Sequence, residues 1–114
     1  FEPCGLNQMY SLRYGTIPIV RRVGGLADSV TDVSRETLAA GSATGFAFDE
    51  YSSTRPAETI ERAVPTYRQP DVWSQIVRTG MSVDWYWTGS AQHYVEVYRT
   101  ALERRHERAK DGRQ

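Results

Sequence analysis

The sequence predicts an α/β fold with a few short parallel strands, several helices and a long C-terminal helix. Two observations carry this. Over residues 1–50, short apolar, β-branched runs alternate with glycine-marked turns and brief helical stretches, the rhythm of a parallel sheet with crossover helices. Beyond residue 50, apolar residues recur at three- and four-residue steps with no further strand-like run. The chain accordingly reads as a βα segment (1–50), a helical segment (51–87) and a C-terminal helix (88–110).

The elements follow in order. Gly5 to Tyr14 reads as a helix in which Leu6, Met9, Tyr10 and Leu12–Arg13 place apolar groups at three- and four-residue steps, stopped by a left-handed cap at Gly15. Ile17-Pro18-Ile19-Val20 is a buried-type strand, with Pro18 favouring an end or edge position. Arg21 to Leu26 repeats the passage from strand to glycine turn and leads into a short helical stretch through Val30. Gly41 to Gly45 reads as a turn, and Phe46-Ala47-Phe48 as a second brief strand with Asp49-Glu50 beyond it.

Ser53 or Thr54 is placed to cap a helix starting near Arg55-Pro56, with Ala57, Ile60, Ala63 and Val64 as its apolar stripe. Pro65 lacks an N–H and is expected to kink or end that helix near Val64. Asp71 is expected to cap the next helix, which buries Val72, Trp73, Ile76 and Val77. Residues 82–87 form an aromatic connector. Thr88 or Ser90 then caps the last helix, striped by Ala91, Tyr94, Val95, Tyr98, Ala101 and Leu102. From Glu103 the chain is wholly polar and is expected to fray.

Composition narrows the classes of function. With 114 residues the chain is one domain at most, and a chain of this size buries roughly two thirds of its unfolded surface. Fourteen basic residues balance fourteen acidic ones, leaving no electrostatic footprint for nucleic acid or an anionic membrane. The single cysteine, Cys4, excludes an internal disulfide and fits a reducing compartment. No apolar run approaches the ~20 residues that span a bilayer.

The chemistry concentrates at the start. Phe1-Glu2-Pro3-Cys4-Gly5-Leu6-Asn7 sets a carboxylate, a rigid turn and a glycine before a helix. Such a turn ordinarily ends a sheet strand, and no strand precedes it here, so the chain reads as the C-terminal piece of a larger protein. In open α/β sheets, ligands sit beyond the carboxyl ends of the strands. Gly5 permits close backbone approach to a ligand, and the amides of Leu6 and Asn7 are first-turn donors suited to an anion. That arrangement contributes about 0.3–2 kcal/mol toward a phosphate. Glu2 is placed to accept from sugar hydroxyls, each charge-assisted bond contributing about 1.5–3 kcal/mol. A sugar nucleotide is polyhydroxylated at one end and anionic at the other, and suits both groups. From spacing alone, a helix-capping or ion-pairing role for Glu2 fits equally well.

Phe-Glu-Pro-Cys-Gly-Leu-x-Gln at 1–8 resembles the C-terminal-domain signature of bacterial glycogen synthases and plastid starch synthases, retaining glucosyltransferases of the GT-B fold. The resemblance continues through Tyr14 to Arg22, Gly24 to Val30, Thr44 to Phe48, and a closing Met81, Asp84, Trp87, Ser90-Ala91, Tyr94 and Tyr98, reaching about Arg99 in order. It implies part of a Rossmann-like GT-B domain whose last helix braces a missing N-terminal domain. ADP-glucose would be the donor and the non-reducing end of an α-1,4-glucan the acceptor, in bacterial cytoplasm or plastid stroma. No cofactor and no metal is implied.

Carried onto this chain, the resemblance makes Glu2 the catalytic residue, stabilising positive charge on the donor glucose. The backbone at Cys4 and Gly5 would bind sugar hydroxyls, and the amides of Leu6 and Asn7 the distal phosphate. Gly24 and Gly25 would keep a neighbouring loop close to the cleft. Many retaining GT-B enzymes carry a second Glu eight positions after the first; here that position is Tyr10, as in the glycogen synthase branch. Pro65 falls where relatives run a continuous helix. The basic diphosphate clamp, the N-domain catalytic groups and the adenine-stacking residues are expected upstream of Phe1, so the isolated chain is expected to be inactive.

Other residues carry plainer readings. Cys4 has no His nearby in sequence and contributes its backbone, not its sulfur. His93 and His106 lack metal-spaced partners and read as surface or packing residues. Trp73 and Trp87 read as core, and Trp85 less firmly so. Arg21 and Arg22 fit either a phosphate or acids at the sheet edge. Two further readings remain open on sequence: a non-catalytic nucleotide- or glucan-binding remnant, and a GT-B transferase using another nucleotide sugar.

Overall fold

A computed structural model describes residues 5–111, which fall into two compact units dividing between Val83 and Asp84. The first unit contains α1 (Asn7–Arg13), β1 (Ile19–Arg21), α2 (Gly24–Ser29), α3 (Arg35–Ala39), β2 (Phe46–Phe48), α4 (Arg55–Tyr67) and α5 (Pro70–Ser82). The second is built on α6 (Trp87–Asp111).

The strands β1 and β2 pair in parallel, Ile19 opposite Phe46, Val20 opposite Ala47 and Arg21 opposite Phe48. Residues 31–33 run along the other edge of β2, where Val33 N donates to Gly45 O at 2.8 Å and Asp32 bridges Gly45. Parallel pairing demands a crossover, and residues 22–45 supply it through α2 and α3. Side chains alternate across the strands, so each face carries its own core. Phe46, fully buried, packs with Val33, Ala43, Ala63 and Ile76, and Trp73 stacks on it at 6.4 Å between centroids. On the opposite face Val20, Val30 and Ala47 pack with Leu26.

Helix α1 docks on α5 because Gly80 has no side chain. A Cβ there would stand 2.8 Å from Leu12 Cδ2, and Leu12 is itself fully buried. Gly15 closes α1 at φ 76°, the left-handed cap that the sequence predicts.

Several expectations are corrected. Pro65 does not end α4 near Val64, and the helix continues to Tyr67. A proline near a helix end forfeits one intrahelical bond, and the cap amide of Arg68 still pairs with Val64 O at 3.2 Å. The buried face of α4 is Thr59 and Ala63, while Ile60 and Val64 are exposed. Burying Thr59 is tolerable because its hydroxyl donates to Arg55 O at 2.7 Å. Asp71 does not cap α5: the cap is Gln69, Pro70 occupies the first turn, and Asp71 follows inside it. Thr54 caps α4 without a side-chain bond.

Helix α3 is absent from the sequence reading. It is five residues long, too short for an apolar stripe to declare itself, and is set by a capping box in which Thr37 N donates to Ser34 Oγ at 3.2 Å and Ser34 N to Thr37 Oγ1 at 2.8 Å.

In the second unit α6 starts at Trp87, so Thr88 and Ser90 lie inside it rather than capping it. The helix runs on through the polar stretch after Glu103 to Asp111. At 25 residues it is about 37 Å long. Its stripe of Tyr94, Val95, Tyr98 and Leu102 is exposed. Trp87, expected in the core, is 68% exposed and lies against Tyr94 at 5.5 Å. No helix among the described residues is long and apolar enough to cross a membrane.

Candidate functional site

Glu2 and Cys4 lie outside the described residues. The described part of the turn begins at Gly5. Leu6 is the cap of α1, at φ −99° and ψ −17°, and its carbonyl accepts from Tyr10 N at 3.0 Å. Leu6 and Asn7 are exposed, and no described acceptor pairs with either backbone N–H. In the first turn of a helix such N–H groups have no intrahelical acceptor.

The second glycine turn begins one residue past β1. Val23 caps α2 in extended conformation, and Gly24 follows at φ 47°. That left-handed value is easy for glycine and costly for residues with a Cβ, which is why the chain turns from strand to helix at this point. The turn closes with Leu26 N donating to Val23 O at 3.1 Å.

A cleft of about 480 Å³ opens between these elements, lined by Gly5, Asn7, Gln8 and Ser11 from the α1 side, residues 18–21 along β1, and Leu26. Gly5 and Asn7 therefore share one cavity. The side of Leu6 and the pair Gly24-Gly25 are not part of its wall, although Leu26, next in sequence, is.

What links the two turns is Gln8. Its Nε2 donates to Gly5 O at 2.6 Å and to Ser29 Oγ at 3.1 Å, and Ser29 Oγ donates to Gly25 O at 2.5 Å. Sequence alone gives Gln8 no role beyond its place in the 1–8 motif. The available signal was its spacing: Gln8 stands four residues before Leu12, on the face of α1 that turns inward, and both are buried.

Beyond the carboxyl ends of the strands, charges pair with one another. Arg22 Nε stands 3.6 Å from Asp49 Oδ1, and Arg21 Nε donates to Asp49 O at 3.4 Å while its guanidinium lies 5.0 Å over the Tyr51 ring. Of the two readings open for Arg21 and Arg22, acid pairing describes Arg22, whereas Arg21 meets a backbone carbonyl and an aromatic ring. Arg55 bonds Glu50 and Glu58, each at 2.8 Å, in a second cleft of about 390 Å³ that Phe48 also lines. These two carboxylates raise the Arg55 pKa, Glu50 chiefly. Among the described residues no three His, Cys, Asp or Glu side chains gather as metal ligands would.

Comparison with known proteins places this geometry. No protein-family model matches the chain. In the solved structures, the chain superposes on the catalytic domain of starch synthase IV from Arabidopsis thaliana, bound to ADP and acarbose, with a TM-score of 0.77 and 39% identity over 90% of this chain and 21% of that one. Its fold is therefore that of a segment of a GT-B glycosyltransferase domain. In sequence it is 53% identical over 102 residues to glycogen synthase 1 of Methylococcus capsulatus, and 53% identical over 100 residues to the glycogen synthase of Albidiferax ferrireducens. These alignments take in 90% and 88% of this chain, but only 21% and 20% of the relatives. The chain belongs to the glycogen synthase and starch synthase family, and spans about a fifth of the length of the curated relatives it matches.

Proposed function

We propose that the chain is the donor-binding part of a glucan synthase that moves glucose from ADP-glucose to the non-reducing end of an α-1,4-glucan with retention. The bond from the glucose anomeric carbon to the ADP phosphate oxygen breaks, and a bond from that carbon to the acceptor 4-oxygen forms. The amides of Leu6 and Asn7 hold the distal phosphate, the backbone at Cys4 and Gly5 holds sugar hydroxyls, and Glu2 stabilises positive charge developing on the sugar. Gly24 and Gly25 keep the second turn close. The apolar stripe of α6 packs on an N-terminal domain that supplies the diphosphate clamp and the base-reading groups. The reading implies bacterial cytoplasm or plastid stroma.

One observation carries the proposal: Gly5 and Asn7, at the first turn of α1 where backbone N–H groups have no intrahelical acceptor, line one cleft together with β1. The family supports it, since a relative of the same fold was solved with ADP and acarbose bound.

The test is glucose incorporation into glycogen by the whole enzyme that carries this segment, with ADP-glucose and UDP-glucose compared. Preference for ADP-glucose supports the reading. Preference for UDP-glucose assigns the site to another nucleotide sugar. ADP binding without any transfer leaves a non-catalytic nucleotide-binding remnant.

A further inference from the structure

We infer that Gln8 is a positioning residue whose carboxamide straps the Gly5 turn to the Gly25 turn through Ser29, setting the spacing of the donor cleft. This rests on the function proposed above and names a residue that acts behind it. Gln8 is only 3% exposed, two residues after the exposed cap Leu6. Gly5 O can only accept, so the Gln8 atom 2.6 Å from it is the amide nitrogen, and the orientation of the carboxamide is settled. The second Nε2 hydrogen goes to Ser29 Oγ, which passes its own proton's bond to Gly25 O. Two turns separated by twenty residues of chain are thereby joined by three hydrogen bonds through one side chain and one hydroxyl.

Gln8 Oε1 is buried and has no partner among the described residues. Methionine would fill a similar volume while removing both Gln8 hydrogen bonds, so it separates the strap from packing. Gln8 forms the wall beneath Gly5 and Asn7, so its loss is felt by a ligand through those turns.

The experiment measures kcat and the KM values for ADP-glucose and for glycogen in the whole enzyme, comparing wild type with Gln8→Met, Ser29→Ala and the double variant. The expected result is an ADP-glucose KM raised about five- to tenfold in each, the size of one lost hydrogen bond. The glycogen KM stays unchanged, and the double variant is no worse than the single ones because all break the same strap. An unchanged donor KM, equal shifts in both KM values, or multiplying effects in the double variant would overturn it. If Gln8→Met does not fold, Ser29→Ala, which removes one hydroxyl, carries the same readings. If the wild type transfers no glucose, the proposed function fails, and amide hydrogen exchange reads the strap instead. Faster exchange at both turns in Ser29→Ala supports it, and unchanged exchange at residues 5–8 overturns it.

Discussion

Arg62 and Asp32 lie 30 residues apart and meet in two parallel hydrogen bonds, Nη1 to Oδ2 at 2.8 Å and Nη2 to Oδ1 at 2.7 Å. The same Asp32 Oδ1 accepts from Ala47 N at 2.7 Å, and Arg62 also donates to Val33 O at 3.2 Å and Ala47 O at 3.1 Å. The guanidinium lies 5.5 Å over the Phe46 ring. The pair thus pins α4 to β2 and to the 31–33 segment along its edge, holding the sheet that carries the cleft. The Asp32 bond raises the Arg62 pKa, with burial opposing it.

Removing this clamp is expected to destabilise the chain. Arg62→Met strips charged bonds from Asp32, which is only 21% exposed, and leaves Val33 O and Ala47 O short of a donor. Because the arginine is itself 44% exposed, the loss is expected at about 1–2 kcal/mol, below that of a fully buried pair. Denaturant unfolding of wild type and variant measures it, and coincident midpoints would refute it.

Gly80 offers a test of packing. In an exposed helix, Gly→Ala is stabilising by about 1 kcal/mol. Here the new Cβ meets a buried Leu12 at 2.8 Å, so Gly80→Ala is expected to destabilise by about 1–3 kcal/mol. Adding Leu12→Val, which shortens the opposing side chain, is expected to recover part of the loss. A stabilised Gly80→Ala in thermal unfolding would show that α1 does not pack as described.

The α3 cap predicts a pH dependence. The Ser34 hydroxyl, donating at 2.7 Å, and next the Glu36 backbone N–H lower the Glu36 pKa, against slight burial. A folded-state pKa below the unfolded value adds stability above the usual carboxylate range, and that stability is lost as pH falls through the lowered pKa. Wild type is therefore expected to exceed Glu36→Gln in stability at neutral pH and to match it in acid. Ser34→Ala loses the cap as well, about 0.5–2 kcal/mol. A wild-type advantage that persists unchanged into acid would sink this account.

Catalysis gives the last prediction. The chain by itself is expected to transfer no glucose, since the reading assigns the diphosphate clamp to another domain. In the whole enzyme, Glu2→Ala is expected to lower turnover on the order of 100-fold while ADP affinity changes little, as for a group that acts on developing charge. Lost ADP affinity with normal turnover would move Glu2 from the sugar to the phosphates.

The sequence by itself determined the local vocabulary of this protein. Gly15 announces a left-handed cap and Gly24 a turn after a strand because backbone sterics are local, and the two adopt φ 76° and 47°. The apolar runs around Val20 and Phe46 mark strands for the same reason, and both are buried as parallel neighbours. The quoted motif likewise pointed to the family without any knowledge of shape.

Only tertiary structure decided which polar groups are buried and what they join. Thr59 replaces Ile60 on the inner face of α4, Arg62 finds Asp32 across 30 residues, and Gln8 reaches Ser29 across 21. None of these is written in periodicity, because a buried polar side chain is tolerated only when a partner from elsewhere in the chain satisfies it. That partner exists only once the chain has folded.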